Sequence, residues 1–119
     1  MGKTILIVDD FESSLNILEK SLEKAGYQVL KSGDGQEALT HFDGRDIDLV
    51  ITDLNMPNMD GISLVKAIRA NTEYKFTPVI LLTTKSNQQE QAKEAGVTSF
   101  MQKPFQVEAL LANVRKIVR

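Results

Sequence analysis

A chain of 119 residues with 42% apolar and 25% charged side chains has the size and make-up of one ordinary domain, large enough to bury a real core. A net charge of −2 argues against a nucleic-acid footprint, and the basic residues near the end (Arg115, Lys116, Arg119) read as a solvated helix face. No cysteine is present for disulfides or thiolate metal sites, the stretch before Asp9 is too short for a signal-peptide core, and no run approaches a bilayer span, so a cytoplasmic protein without membrane insertion or direct nucleic-acid binding is expected.

The first apolar run, TILIV (4–8), ends at Asp9 and Asp10. A helical stretch follows in which Ile17, Leu18, Leu22 and Ala25 are expected to share a face, with Gly26 as the stop. After YQVL (27–30), Asp34 and Glu37 form a capping-box-like pair opening GQEALTHF. IDLVI (47–51) leads through Thr52 into DLNMPNMDG (53–61), where Asp60 can cap GISLVKAIRA; Ile62, Leu64, Val65 and Ile68 form the apolar side of that helix. PVILLT (78–83) is next, then Ser86 and Gln89 as a further capping box before NQQEQAKEA and Gly96. TSFMQ (98–102) is the fifth run, and Val107, Leu110, Leu111, Val114, Ile117 and Val118 continue at helical spacing.

Four of the five runs are rich in β-branched or aromatic residues, and the two longest lack polar alternation, as strands buried on both faces do. Five strands alternating with five helices predict an α/β domain, a parallel sheet with helices on both faces. The fourth helix can bury only Ala92 and Ala95, so it is expected to be the most loosely held element and a candidate moving part.

In such sheets the ligand crevice lies at the carboxyl ends of the strands. Asp9 and Asp10 end the first strand, Asp53 the third, Thr83 and Thr84 the fourth, and Lys103-Pro104 follow the fifth. Each has an ordinary reading alone: Asp10 as a helix cap, Thr83 as a strand former, Lys103 as a surface cation, Pro104 as a helix start, and DLNMPNMDG as a turn. Their coincidence on one rim is what calls for a function. Two like charges about 4 Å apart repel by roughly 4 kcal/mol at an effective dielectric near 20. A divalent cation relieves that repulsion, and oxygen-only ligands suit Mg²⁺. A metal, a lysine and a hydroxyl together supply the charge neutralisation that phosphoryl transfer needs, and a carboxylate can be the nucleophile.

The combination VDD (8–10), DLNMPNMDG (53–61), LLTT (81–84) and KPF (103–105) resembles the receiver domain of two-component response regulators, specifically the CheY-like chemotaxis group. The resemblance runs over essentially the whole chain, 1–119, as one receiver domain, and implies a doubly wound, flavodoxin-like sheet of order 2-1-3-4-5. It implies that Asp53 accepts a phosphoryl group from a sensor histidine kinase (CheA-like), making the chain a switch that catalyses only its own phosphorylation and dephosphorylation. Asp9 and Asp10 would hold Mg²⁺, with Asp10 the direct ligand, and Asp53 and the backbone carbonyl of Asn55 would complete the protein ligands. Thr83 and Lys103 would bind phosphoryl oxygens, Lys103-Pro104 would be a cis peptide, and Phe100 would occupy the aromatic switch position.

Movement of Thr83 toward the phosphoryl group would vacate a space that Phe100 enters, passing from exposed to buried. The signalling surface would be the face of the fourth helix, fifth strand and fifth helix, presented to a target such as a flagellar motor switch component. Asn55 and Lys85, each two residues past a site residue, are expected to tune phosphoryl lifetime. Alternatives are a receiver fragment of a larger regulator or hybrid kinase, and a flavin or nucleotide binder on the same fold. The latter would want a glycine-rich phosphate loop where this chain has DDFES. An aspartate-nucleophile phosphatase would want Asp-x-Asp after the first strand, which is absent. A receiver acting without phosphorylation is disfavoured by the intact acids, Thr83 and Lys103. His41, the one histidine, is expected to be exposed on the second helix and to take no part. The chain ends where the last helix of a receiver would, which leaves a stand-alone regulator and a fragment both open; LLTTKSNQQEQAKEAG and FMQKPF, which resemble chemotaxis receivers, favour the stand-alone reading.

Overall fold

A computed structural model describes residues 2–84 and 88–118. Five strands and five helices alternate: β1 Thr4–Val8, α1 Glu12–Lys24, β2 Gln28–Ser32, α2 Gly35–Leu39, β3 Leu49–Asp53, α3 Gly61–Ala70, β4 Val79–Thr83, α4 Gln89–Ala95, β5 Ser99–Gln102 and α5 Val107–Ile117. The strands form one parallel sheet in the order β2-β1-β3-β4-β5, the doubly wound arrangement expected.

Alternation along each strand divides the core in two. Ile5, Ile7, Leu49, Ile51, Ile80 and Leu82 face α1 and α5, packing on Leu15, Leu18, Leu22, Leu110 and Val114. Leu6, Val8, Val50 and Val79 face the other side, against Ala38 of α2, Leu64, Val65 and Ile68 of α3, and Ala95 of α4. The central strands are buried on both sides, which explains runs without polar alternation. No helix among the described residues is long and apolar enough to cross a membrane.

The predicted caps of α2 and α3 are present: Asp34 Oδ1 accepts from the Glu37 amide at 2.8 Å and Asp60 Oδ1 from the Ser63 amide at 2.7 Å. Ser86 lies outside the described residues; α4 starts after Gln88, which makes no side-chain cap bond. The α1 expectation needs correction. Leu15, Leu18 and Leu22 are its buried residues, whereas Ile17 is 59% exposed and Ala25 is the exposed C-cap. At about 100° per residue Ile17 lies far round the helix from Leu15, and Leu15 with Leu18 and Leu22 is the better i, i+3, i+7 set. Strands β2 and β3 run two residues further than the apolar runs, because ladder pairing continues through Lys31 and Ser32 opposite Ile7 and Val8, and through Thr52 and Asp53. Helix α2 stops at Leu39, where the Thr40 hydroxyl takes up the Glu37 carbonyl at 2.6 Å. His41 therefore sits beyond the helix, and it is half-buried rather than exposed, with Nδ1 3.4 Å from Arg45 Nη1.

Candidate functional site

The parallel register brings the C-terminal ends of β1, β3 and β4 to one rim, since Val8 pairs with Thr52 and Asp53 with Leu82. Asp9 follows β1 and is buried; its amide donates to the Ser32 carbonyl (3.1 Å), while Oδ1 accepts from the Phe11 amide (3.0 Å). That local turn anchors the Asp9 carboxylate. Asp10 is exposed and does not cap α1, whose N-cap is Phe11 without a side-chain bond. The ordinary reading of Asp10 is thereby removed. Asp53, the last residue of β3, is 8% exposed. The three acids each present a carboxylate oxygen within 4.8 Å of the others.

Lys103 reaches this cluster from the far side of β4. Its amide donates to the Thr83 carbonyl at 2.7 Å, which fixes the start of the β5–α5 loop. The Lys103-Pro104 peptide is cis, and α5 begins only at Val107, so Pro104 is not a helix-starting proline. Lys103 Nζ lies 3.3 Å from Asp53 Oδ1 and 3.7 Å from Asp9 Oδ2. One ammonium thus serves two buried acids. Burial pushes the Asp53 carboxyl above its ordinary range; Lys103 pulls it back and Asp9 pushes it further up. One ammonium against three carboxylates leaves the cluster short of positive charge. Its donor set, carboxylate oxygens with one exposed acid giving access to water, fits Mg²⁺.

The loop between β3 and α3 is tightly constrained. The Gly61 amide donates to the Leu54 carbonyl at 2.8 Å. A Cβ at Gly61 would overlap the Asp53 carbonyl oxygen and lie 2.7 Å from Leu81 Cδ1, so only glycine lets α3 start this close beneath the acid. Asn55 is exposed at the head of the loop. Asn58 adopts a left-handed backbone (φ 70°), and its side-chain Nδ2 donates to Asp34 Oδ2 at 3.0 Å, tying the loop to the start of α2. Neither Gly61 nor the Asn58–Asp34 link was anticipated. The dipeptide DG carried a partial signal; the other pair is 24 residues apart and carried none.

Thr83 is fully buried at the end of β4. It shares a sheet face with Leu81, which is opposite Phe100 on β5. The Phe100 ring is half-buried against Leu54, Leu81 and Ala92, not fully exposed. A cleft of about 270 Å³ lies between α4 and β5, lined by Gln89, Ala92, Val97 and Phe100 among others. A second groove, about 450 Å³, opens beside the acids, with Asp9 and Lys103 at its edge and Ile17, Leu18, Leu82 and Phe105 along its walls. Lys85 lies outside the described residues.

Comparison with known proteins agrees with this geometry. The family described as response regulator receiver domain matches residues 5–115. The chain belongs to that family. This receiver is 39% identical over 116 residues to chemotaxis protein CheY-3 of Vibrio cholerae, covering 95% of the chain and 89% of that protein. It is 36% identical to the alkaline phosphatase synthesis transcriptional regulatory protein PhoP of Bacillus subtilis, covering all of the chain but 50% of that protein. The receiver thus spans about half the length of one relative and nearly all of another. The structure of chemotaxis response regulator CheY4 of Vibrio cholerae superimposes with a TM-score of 0.93 at 37% identity, over 98% of this chain and 99% of that one. Receivers of two-component systems are signalling switches rather than conventional enzymes: they take phosphoryl groups from histidine kinases, bind Mg²⁺ at an acidic pocket and engage downstream targets.

Proposed function

We propose that residues 1–119 form one receiver domain whose phosphoacceptor is Asp53. The observation that carries this reading is the triad of acids within 4.8 Å, with Lys103 Nζ 3.3 Å from Asp53. A carboxylate oxygen of Asp53 attacks the phosphorus of a phosphohistidine, the P–N bond breaks, and the imidazole leaves. Asp9, Asp10 and Asp53, with the Asn55 carbonyl, would hold Mg²⁺, which would supply charge neutralisation to the phosphoryl oxygens. Lys103 exchanges its contact with the Asp53 oxygen for one to the phosphoryl group, and the Thr83 hydroxyl takes another oxygen. Water attack on the acyl phosphate returns the carboxylate and releases phosphate. Exposure of Asn55 at the pocket mouth suits control of that water, and Lys85 is the second candidate for that role.

The phosphoryl group adds about 1.5–2 negative charges where Asp53 was already short of positive partners. Recruitment of Thr83 then loosens the sheet face shared with Leu81 and Phe100, and the ring moves from half-buried to buried. The output is a change at the face of α4, β5 and α5. The chemotaxis relatives favour a stand-alone regulator in the cytoplasm, fed by a CheA-like kinase and read by a target such as a flagellar motor switch component. The second reading, the receiver portion of a longer regulator, is favoured by the PhoP relative. Incubation with a small phosphodonor and Mg²⁺, followed by intact-mass measurement, tests the site: wild type gains one phosphoryl group and Asp53→Asn gains none. An equal gain in both overturns the assignment.

A further inference from the structure

The proposed switch requires α4 to move, and the manner of its attachment says how. The helix buries only Ala92 and Ala95, and its N-terminal turn, Gln89 and Glu90, is exposed and lacks a side-chain cap. The cleft of about 270 Å³ runs from that turn along the helix to Val97 and Thr98, so little of the side facing β5 is packed. The C-terminal end is held quite differently. Ala95 sits in the core beside Ile68 and Val79. Gly96 closes the helix in the left-handed conformation (φ 96°), and the Gly96 and Val97 amides return to the Lys93 and Ala92 carbonyls at 3.0 and 3.1 Å.

Onto this end reaches Arg69 from α3. Its Nε and Nη2 donate to the Gly96 carbonyl at 3.1 and 2.8 Å, and Nη1 donates to the Thr77 carbonyl at 2.7 Å. The stem lies flat across Gly96: a Cβ there would be 3.1 Å from Arg69 Nε and 3.4 Å from Cδ. Among the described residues Arg69 makes no ion pair, so its fork is committed to backbone carbonyls of two segments. Hydrogen bonds from a charged donor are the stronger kind; the one to Thr77 is part-buried and the two to Gly96 are exposed but share one acceptor.

We propose that Arg69 is the fixed pivot of α4: its guanidinium clamps the Gly96 carbonyl to α3 and to the start of β4, so displacement of α4 is a swing of its free N-terminal turn. This rests on the phosphorylation switch proposed above for its trigger, though the clamp itself does not depend on it. The clamp limits the response to the turn nearest Thr83 and keeps the α4–β5 connection in register. A lysine at position 69 would present a single nitrogen where arginine presents three in a fixed fork that spans the Gly96 and Thr77 carbonyls, so the pivot needs arginine.

Amide hydrogen exchange resolved along 88–98 tests both parts. In the protein without a phosphoryl mimic, Arg69→Met (which keeps the apolar stem) should exchange at Gly96 and Val97 about tenfold faster or more than wild type, with Arg69→Lys intermediate and core strands unchanged. Wild-type rates at those two amides in both variants would overturn the clamp. With fluoroberyllate and Mg²⁺ as the phosphoryl mimic, wild type should change at Glu90–Ala92 and hold at Gly96 and Val97, whereas Arg69→Met should change at both ends. Equal change at both ends of wild type would overturn the pivot. Failure of the mimic to bind at all would sink the phosphorylation reading and leave the clamp to be judged on the first comparison.

Discussion

Neutralising Asp53 should stabilise the metal-free protein. One oxygen of its carboxylate lies within 4.8 Å of one on the buried Asp9, so that pair repels by roughly 3–4 kcal/mol at an effective dielectric near 20. Lys103 at 3.3 Å returns about 5 kcal/mol on the same scale, so the two charges roughly offset and the net burden on Asp53 comes first from burial of its carboxylate. Asp53→Asn keeps the shape and removes the charge. At pH 7 without divalent ions it should unfold about 4–8 °C above wild type, as about 1–2 kcal/mol implies for a domain of this size. The sign with pH follows from the direction of the Asp53 shift. Its native carboxyl is raised above the unfolded value of 3.8, so the penalty is absent below 3.8 and full only above the raised native value. The advantage of Asp53→Asn should therefore shrink as pH falls through that window, and millimolar Mg²⁺ should shrink it at pH 7 by stabilising wild type. Thermal melts across pH, with and without Mg²⁺, decide it. A variant that melts at or below wild type at pH 7 without metal would refute the electrostatic reasoning.

Lys103→Met removes the ammonium that contacts Asp9 and Asp53; by denaturant titration at pH 7 without metal it should lose about 1.5–3 kcal/mol, and less at acid pH, where Asp53, raised by burial, takes up its proton. Gly61→Ala forces a methyl into the Asp53 carbonyl and Leu81, costing about 1–3 kcal/mol in the same titration and weakening Mg²⁺ binding by displacing Asp53. Among the described residues Ser32 Oγ is buried without a hydrogen-bond partner, so Ser32→Ala should be neutral to about 1 kcal/mol stabilising; a loss beyond that would indicate a partner for the hydroxyl.

Much of this molecule was legible in the order of its residues. Short apolar runs without alternation, rich in β-branched residues, read as strands covered on both faces, and their alternation with helices points to a parallel sheet. That topology alone carries Asp9, Asp53 and Lys103 to a common rim, and the structure brings their side chains into contact there. Ambiguity entered where one pattern fits two faces. Leu15, Ile17 and Leu18 are all apolar, and only packing against β1 and α5 selects Leu15 over Ile17, which instead lines the groove beside the acids. Strand ends escaped because ladder pairing carries polar Lys31 and Ser32 along with Ile7 and Val8. Arg69 was invisible for a different reason. It reads as an exposed cation at the end of an amphipathic helix, and its targets are backbone carbonyls 8 and 27 residues away, which no side-chain pattern encodes.

The central claim is that the crowded acids form a magnesium-dependent acceptor site. Calorimetric titration of the unphosphorylated protein with Mg²⁺ addresses it most directly, using wild type, Asp10→Asn and Asp53→Asn at pH 7. One binding event in wild type, weakened about tenfold or more in each variant, is the predicted result. Binding of equal strength in all three proteins, or none in wild type, would contradict the account.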